Sequence, residues 1–142
     1  MLSSEKVQEI INKQVPVSKD ILNRVKNNLT EKGIVLAQSE EIDNYLLSQS
    51  KEAATYSDGS MIMHTKVSAS GFFEELIHYG QIKSGRAVVN DAENNLMMEI
   101  ETKKRLIKYQ KAYRITDYEI EILTNVLNGY IIDLDNLRKG GM

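Results

Sequence analysis

The sequence predicts an α+β fold, predominantly α, with helices packed on a small sheet or hairpin. Three observations carry that expectation. Apolar residues recur at helical spacing in six segments, several opened by a Ser or Thr in the capping position. Strand character is confined to the apolar, β-branched run GIVLA at 33–37 and to the flanks of an Asp58-Gly59 turn. The 142 residues, 42% apolar and 27% charged, suit one soluble domain with a modest single core.

In chain order, Val7, Ile10 and Ile11 mark a helix over 3–13, with Ser3 or Ser4 as its cap. It stops before Pro16, which disfavours helical geometry in the residue ahead of it. A second helix follows Ser18, carries Ile21, Leu22, Val25 and Leu29 on one stripe, and closes at Gly33. GIVLA then reads as a buried strand. Ser39 starts a short helix over 39–50 with Ile42, Tyr45 and Leu46 on one face. Asp58-Gly59 joins strand-like flanks at 53–56 and 60–65. Ser68 or Ser70 caps a helix that runs to Ser84 and stops at Gly85. After a loop at 86–92, a long charged helix covers Asp91 to Tyr113, with Leu96, Ile100, Leu106 and Ile107 as buried candidates. Thr116 and Glu119 form a capping box for the last helix. Its core stripe reads Ile120, Leu123, Val126, Leu127, Tyr130, Ile131 and Leu134, and the RKGGM tail frays. With no repeat, linker or low-complexity tract, and with a Met1 start, residues 1–142 read as one complete domain.

Composition removes several function classes. A net charge of −2 leaves no basic excess for nucleic acid phosphates, so no nucleic-acid partner is expected. The basic run KKRLIK at 103–108 accordingly reads as a solvated helix face. With no cysteine there is no disulfide, thiolate metal site or cysteine nucleophile, and a small domain without disulfide staples points to the cytoplasm. No apolar run approaches the ~20 residues of a membrane span, and the N-terminus lacks a signal-peptide core. Only His64 and His78 can supply imidazole chemistry.

The stretch FFEELIHYGQ at 72–81 concentrates the chemistry. On a helix over 70–84, Glu74 and His78 are four residues apart and Glu75 and His78 three apart, so they share one side with Gln81. Phe72, Phe73, Leu76 and Ile77 occupy the other side as anchors. Glu99 and Glu101 on the following helix can turn back toward His78. An imidazole with carboxylates can bind a divalent metal and leave a water position open, and a further carboxylate beside that water suits a general base. His64 offers a substitute ligand, Gln81 a second hydrogen-bond partner and Tyr79 an orienting hydroxyl. Glu75-x-x-His78 also matches half of a carboxylate-bridged di-iron site, but no second Glu-x-x-His copy exists.

The segment SMIMHTKVSASGFFEELIHYGQ at 60–81 resembles the zincin metallopeptidases, in which a strand precedes a helix bearing H-E-x-x-H. With EIETKKRLIKYQKAYRIT downstream, the resemblance narrows to small zincin-like domains of bacterial polymorphic toxins and phage proteins, and it covers about residues 53–130. It implies a zinc-dependent peptide hydrolase acting on a peptide or protein. His78 matches the second ligand histidine, Glu75 the catalytic glutamate, and Glu99 the third ligand, with Glu101 as its fallback and His64 as a stand-in for the missing first ligand. Glu74 stands where the first histidine belongs, so the site either holds metal through Glu74, His78 and Glu99 or keeps the scaffold alone. In the second case the chain is an inactive phage structural protein or a protein-binding accessory.

Overall fold

In the computed structural model, which describes residues 4–13, 15–86 and 91–140, polar caps set most helix starts. Helix α1 spans Ser4–Lys13 and α2 spans Lys19–Glu31. The Ser18 hydroxyl accepts from the Ile21 amide and opens α2. Strand β1 is Leu36–Ala37, and α3 follows at Glu40–Ser48 with Ser39 capping the Ile42 amide. Strands β2 (Ala53–Thr55) and β3 (Met61–Met63) precede α4 at Ala69–Lys83, capped by Ser68. Then come α5 (Ala92–Lys108, capped by Asp91), the single turn α6 (Gln110–Tyr113) and α7 (Asp117–Gly140). The chain is mostly helical with one three-stranded sheet, as its periodicities predict. The Ser3 cap, most of the 86–92 loop and the last two residues lie outside the described residues, as do the side chains of Ser4, Val7 and Ile10.

The sheet order is β1-β3-β2, with β1 parallel and β2 antiparallel to the central β3. All three strands are shorter than predicted. The Gly33 and Ile34 amides donate to the Thr30 and Leu29 carbonyls at the end of α2, and Gly33 sits at φ +77°, which leaves GIVLA only Leu36 and Ala37 as strand, and Val35 is 62% exposed rather than buried. At the hairpin the Gly59 amide donates to the Tyr56 carbonyl (2.9 Å) while Gly59 itself sits at φ +92°, a conformation that favours glycine.

Two apolar cores flank α4. Val17, Leu29, Leu36, Met61, Met63, Val67 and Phe72 fill the space between the sheet, α2 and α4. Ala69, Ile77, Leu106, Ile115 and Leu123 join α4 to α5 and α7, and Phe73 packs against both cores. Phe73 also stacks on Tyr113, ring centroids 4.2 Å apart. The helix predicted over 91–113 is divided at Tyr109, and Arg114 in the left-handed region ends the short second piece. The predicted α7 stripe narrows as well. Leu123 is buried, Ile120, Leu127, Tyr130 and Leu134 are half-buried, and Val126 and Ile131 are exposed, because the far half of α7 is covered on one side only, by α5.

Candidate metal and acid–base site

Because α4 lies between two cores, its polar residues are held close to the protein interior. Glu75 is 7% exposed and Gln81 4%, whereas Glu74 and His78 are half-buried. One ligand atom from each of Glu74, Glu75 and His78 can be chosen so that all three lie within 4.8 Å of one another, a group that could hold a metal ion. Glu99, the expected third ligand, comes back from α5 to His78, its Oε1 3.0 Å from Nε2, while the clustered group takes Glu75 in its place. Strand β2 contributes Thr55, whose hydroxyl donates to Glu75 Oε2.

The orientation of His78 is fixed by a relay. Gln81 Nε2 donates to the Met98 carbonyl (3.3 Å) and to Thr102 Oγ1 (3.1 Å), and the Thr102 hydroxyl donates to the same carbonyl (2.8 Å). The Gln81 amide is thereby locked with its Oε1 facing His78 Nδ1 at 2.9 Å. Nδ1 therefore carries a proton and Nε2 faces the carboxylates. A ligand histidine likewise donates from its second nitrogen to an oxygen; here Nε2 is protonated as well and donates to Glu99, a proton that a metal would displace. Mixed carboxylate and imidazole donors suit a divalent cation, so the residues fit a metal.

The sequence reading missed Lys103. It belongs to the KKRLIK run, but the residue is 5% exposed and its ammonium pairs with Glu74 and, at 3.4 Å, with Glu99. The signal was present as the Glu99-to-Lys103 spacing of four, which puts a lysine on the same helical face as a candidate ligand. That signal became decisive only once α5 turned the face toward Glu74.

These neighbours move the proton affinities of four groups: Glu75, His78, Glu99 and Lys103. Burial, reinforced by Glu74, pushes the Glu75 carboxyl up to about 7, against the opposing pull of Thr55 and His78. Burial disfavours the His78 imidazolium, yet hydrogen bonds to Glu99 and Gln81 outweigh it and carry His78 up to about 9. Burial also works against charge on Glu99, but His78 and Lys103 bring its carboxyl down to about 2. For Lys103, the desolvation of the ammonium is overcome by Glu74 and Glu99, which hold it above the ordinary lysine value.

A cavity of about 570 Å³ opens beside this cluster. Glu74, Glu75, Glu99 and Lys103 form its polar wall, and Ile122, Leu123 and Val126 of α7 form the apolar one. Three further carboxylates, Glu52, Glu119 and Asp133, border it. Glu52 accepts from the Ser68 amide (2.8 Å) and hydroxyl (2.9 Å), and burial raises it to about 6. Glu119 accepts from the Ser70 hydroxyl (2.9 Å) and the Thr116 amide (2.8 Å), which realises the expected capping box.

Both fallback ligands lie elsewhere. Glu101 points to the opposite side of α5 and pairs through both oxygens with Arg86, a loop residue to which the sequence assigned no role. His64 is buried near Asp43 (Nε2 to Oδ2, 3.8 Å), and its Nδ1 accepts from the Lys66 amide at 3.0 Å, which fixes the turn after β3. Tyr79 packs against the sheet-side core instead of lining the cavity. No helix among the described residues is long and apolar enough to cross a membrane. Comparison with protein-family models, with curated proteins and with solved structures gives no match for this chain.

Proposed function

We propose that the chain is a zincin-like, metal-dependent peptide hydrolase that admits an extended peptide between α4, α5 and α7. The observation that carries this reading is convergence: Glu74 and Glu75 of the α4 motif, and Glu99 singled out by the zincin resemblance, share one wall of the cavity, with His78 joined to Glu99. Large pockets with a few convergent polar groups and displaced proton affinities are the usual setting of catalysis. Glu74, His78 and Glu99 would hold the ion, with zinc the expected metal. A bound divalent cation supplies Lewis acidity toward a water and a peptide carbonyl. Glu75 is the proton carrier: a carboxyl poised near 7 can take a proton from water and return it to the departing amine. Thr55 fixes the Glu75 rotamer from below, and Gln81 fixes the His78 ring.

The test is elemental analysis of untagged, chelator-free protein together with a peptide-cleavage assay. Near-stoichiometric zinc is expected, lost in His78→Ala and kept in Glu75→Gln, with cleavage reduced at least ~100-fold in both. Metal-free wild type that folds identically with and without chelator overturns the reading. Lys103 favours a second one, because its ammonium already occupies Glu74 and Glu99. In that reading the scaffold is metal-free, and the cavity receives a partner protein instead of a substrate.

A further inference from the structure

We propose that Lys103 is a built-in counter-ion: it holds Glu74 and Glu99 in position while no metal is bound, and it competes with an incoming cation for both carboxylates. This rests on the metal reading of the site given above.

The geometry supports it in three ways. Lys103 is among the least exposed charged side chains described, and an ammonium in such a place needs carboxylate partners to offset its lost hydration. Its partners come from two different helices, Glu74 from α4 and Glu99 from α5, so one ammonium ties together the carboxylates that would complete a set with His78. A helical side chain leans toward the N-terminus, which puts the Lys103 head over the turn that carries Glu99. The ammonium thus takes up one oxygen each of Glu74 and Glu99, two of the carboxylates a cation would need.

A divalent ion and an ammonium cannot share those oxygens, since like charges a few ångströms apart repel strongly in a partly buried site. The lysine has somewhere to go. Its Nζ lies 5.7 Å from the centre of the Tyr130 ring, whose face attracts a cation. Asp133, one turn further along α7, borders the same cavity. A flexible four-carbon stem can therefore swing the ammonium from Glu74 and Glu99 toward Tyr130 and Asp133 without leaving the cavity. Binding of metal and release of the lysine become one exchange, and the metal-free protein keeps its carboxylates placed.

The test is calorimetric titration of zinc alone into chelator-stripped wild type and Lys103→Met at one pH. Lys103→Met is expected to bind zinc roughly ten- to a hundredfold more tightly, the range set by relief from one charged hydrogen bond. Its metal-free form is expected to melt below wild type and to recover with zinc. A lysine with a merely structural role would give weaker zinc binding on removal. Should Lys103→Met fail to fold, lysine-selective NMR of the wild type decides: the protected Lys103 ammonium signal is lost or shifted as zinc is added. Wild type that binds zinc while the variant binds equally or more weakly, or while the ammonium signal stays unmoved, overturns this proposal alone. Failure of wild type, Lys103→Met and Glu74→His to bind zinc at all overturns the metal reading beneath it.

Discussion

Gly71 shows how a single residue shapes the cavity wall. A Cβ built there would sit 2.6 Å from Glu52 Cδ and Oε1, and Glu52 is not free to retreat because two Ser68 hydrogen bonds pin it. Gly71 lies in the first turn of α4, where alanine gains less than the ~1 kcal/mol of propensity it holds over glycine in a helix interior. Overpacking a pinned neighbour costs ~1–3 kcal/mol, so Gly71→Ala is expected to destabilise the fold by about 1 kcal/mol, as measured by urea unfolding. Glu52 carries a prediction of its own. Its folded value of about 6 lies above the 4.5 of an ordinary glutamate, so the folded state holds the extra proton between those values. The stabilisation from this group is complete below pH 4.5 and is lost as pH rises through 6. Glu52→Gln should therefore raise the melting temperature at pH 8 more than at pH 4.5, and equal shifts at both pH values would contradict the assignment.

Among the elements, α7 departs furthest from its sequence pattern. Seven apolar positions at helical spacing predicted a continuous buried stripe, but α5 covers only one flank of the helix and the cavity opens along another. Leu123 reaches the second core, so Leu123→Ala is expected to cost ~2–4 kcal/mol. Ile132, 59% exposed, lies off the packed flank, and Ile132→Lys should change stability by no more than ~0.5 kcal/mol. Thermal melts of the two variants measure that difference directly. Helix α4 departs in the opposite sense. A pattern that looks amphipathic, with Glu and His on one side, turns out to be enclosed nearly all round, because the sheet-side core takes Phe72 and the α5–α7 side takes Ile77.

At the scale of the whole molecule, the shifted groups act together on stability. Glu75, like Glu52, sits above its ordinary value, and His78, raised from 6.5 to about 9, stabilises the fold below pH 6.5 and loses that effect as pH climbs through 9. Glu99 works the other way: lowered to about 2, it stabilises above 4.5 and loses that contribution only as pH falls through 2. Glu52, Glu75 and His78 thus weaken the metal-free fold on the alkaline side, and Glu99, with Glu101 held low by Arg86, weakens it in acid. Melting of chelator-stripped protein across pH is expected to show greatest stability near pH 5 and a steady decline toward pH 9. A maximum above pH 8 would be inconsistent with this charge arrangement.

Local chemistry made most of the fold legible. Ser18, Ser39 and Ser68 cap the helices they precede, Asp58-Gly59 turns the hairpin, and Glu74, Glu75 and His78 share one side of α4, because capping, turn geometry and helical period act within a few residues. Contacts distant in sequence were not legible. The parallel pairing of β1 with β3, the withdrawal of Glu101 to Arg86 and the retention of His64 beside Asp43 all depend on which surfaces meet. Lys103 depends on the same thing. As a letter it belongs to a charged run, and only the approach of α5 to α4 makes it the cation between Glu74 and Glu99. The sequence by itself determined the helices, their caps and the residues able to carry chemistry. Tertiary packing decided which of those charges are buried together, and in a partly desolvated cluster that neighbourhood sets their proton affinities.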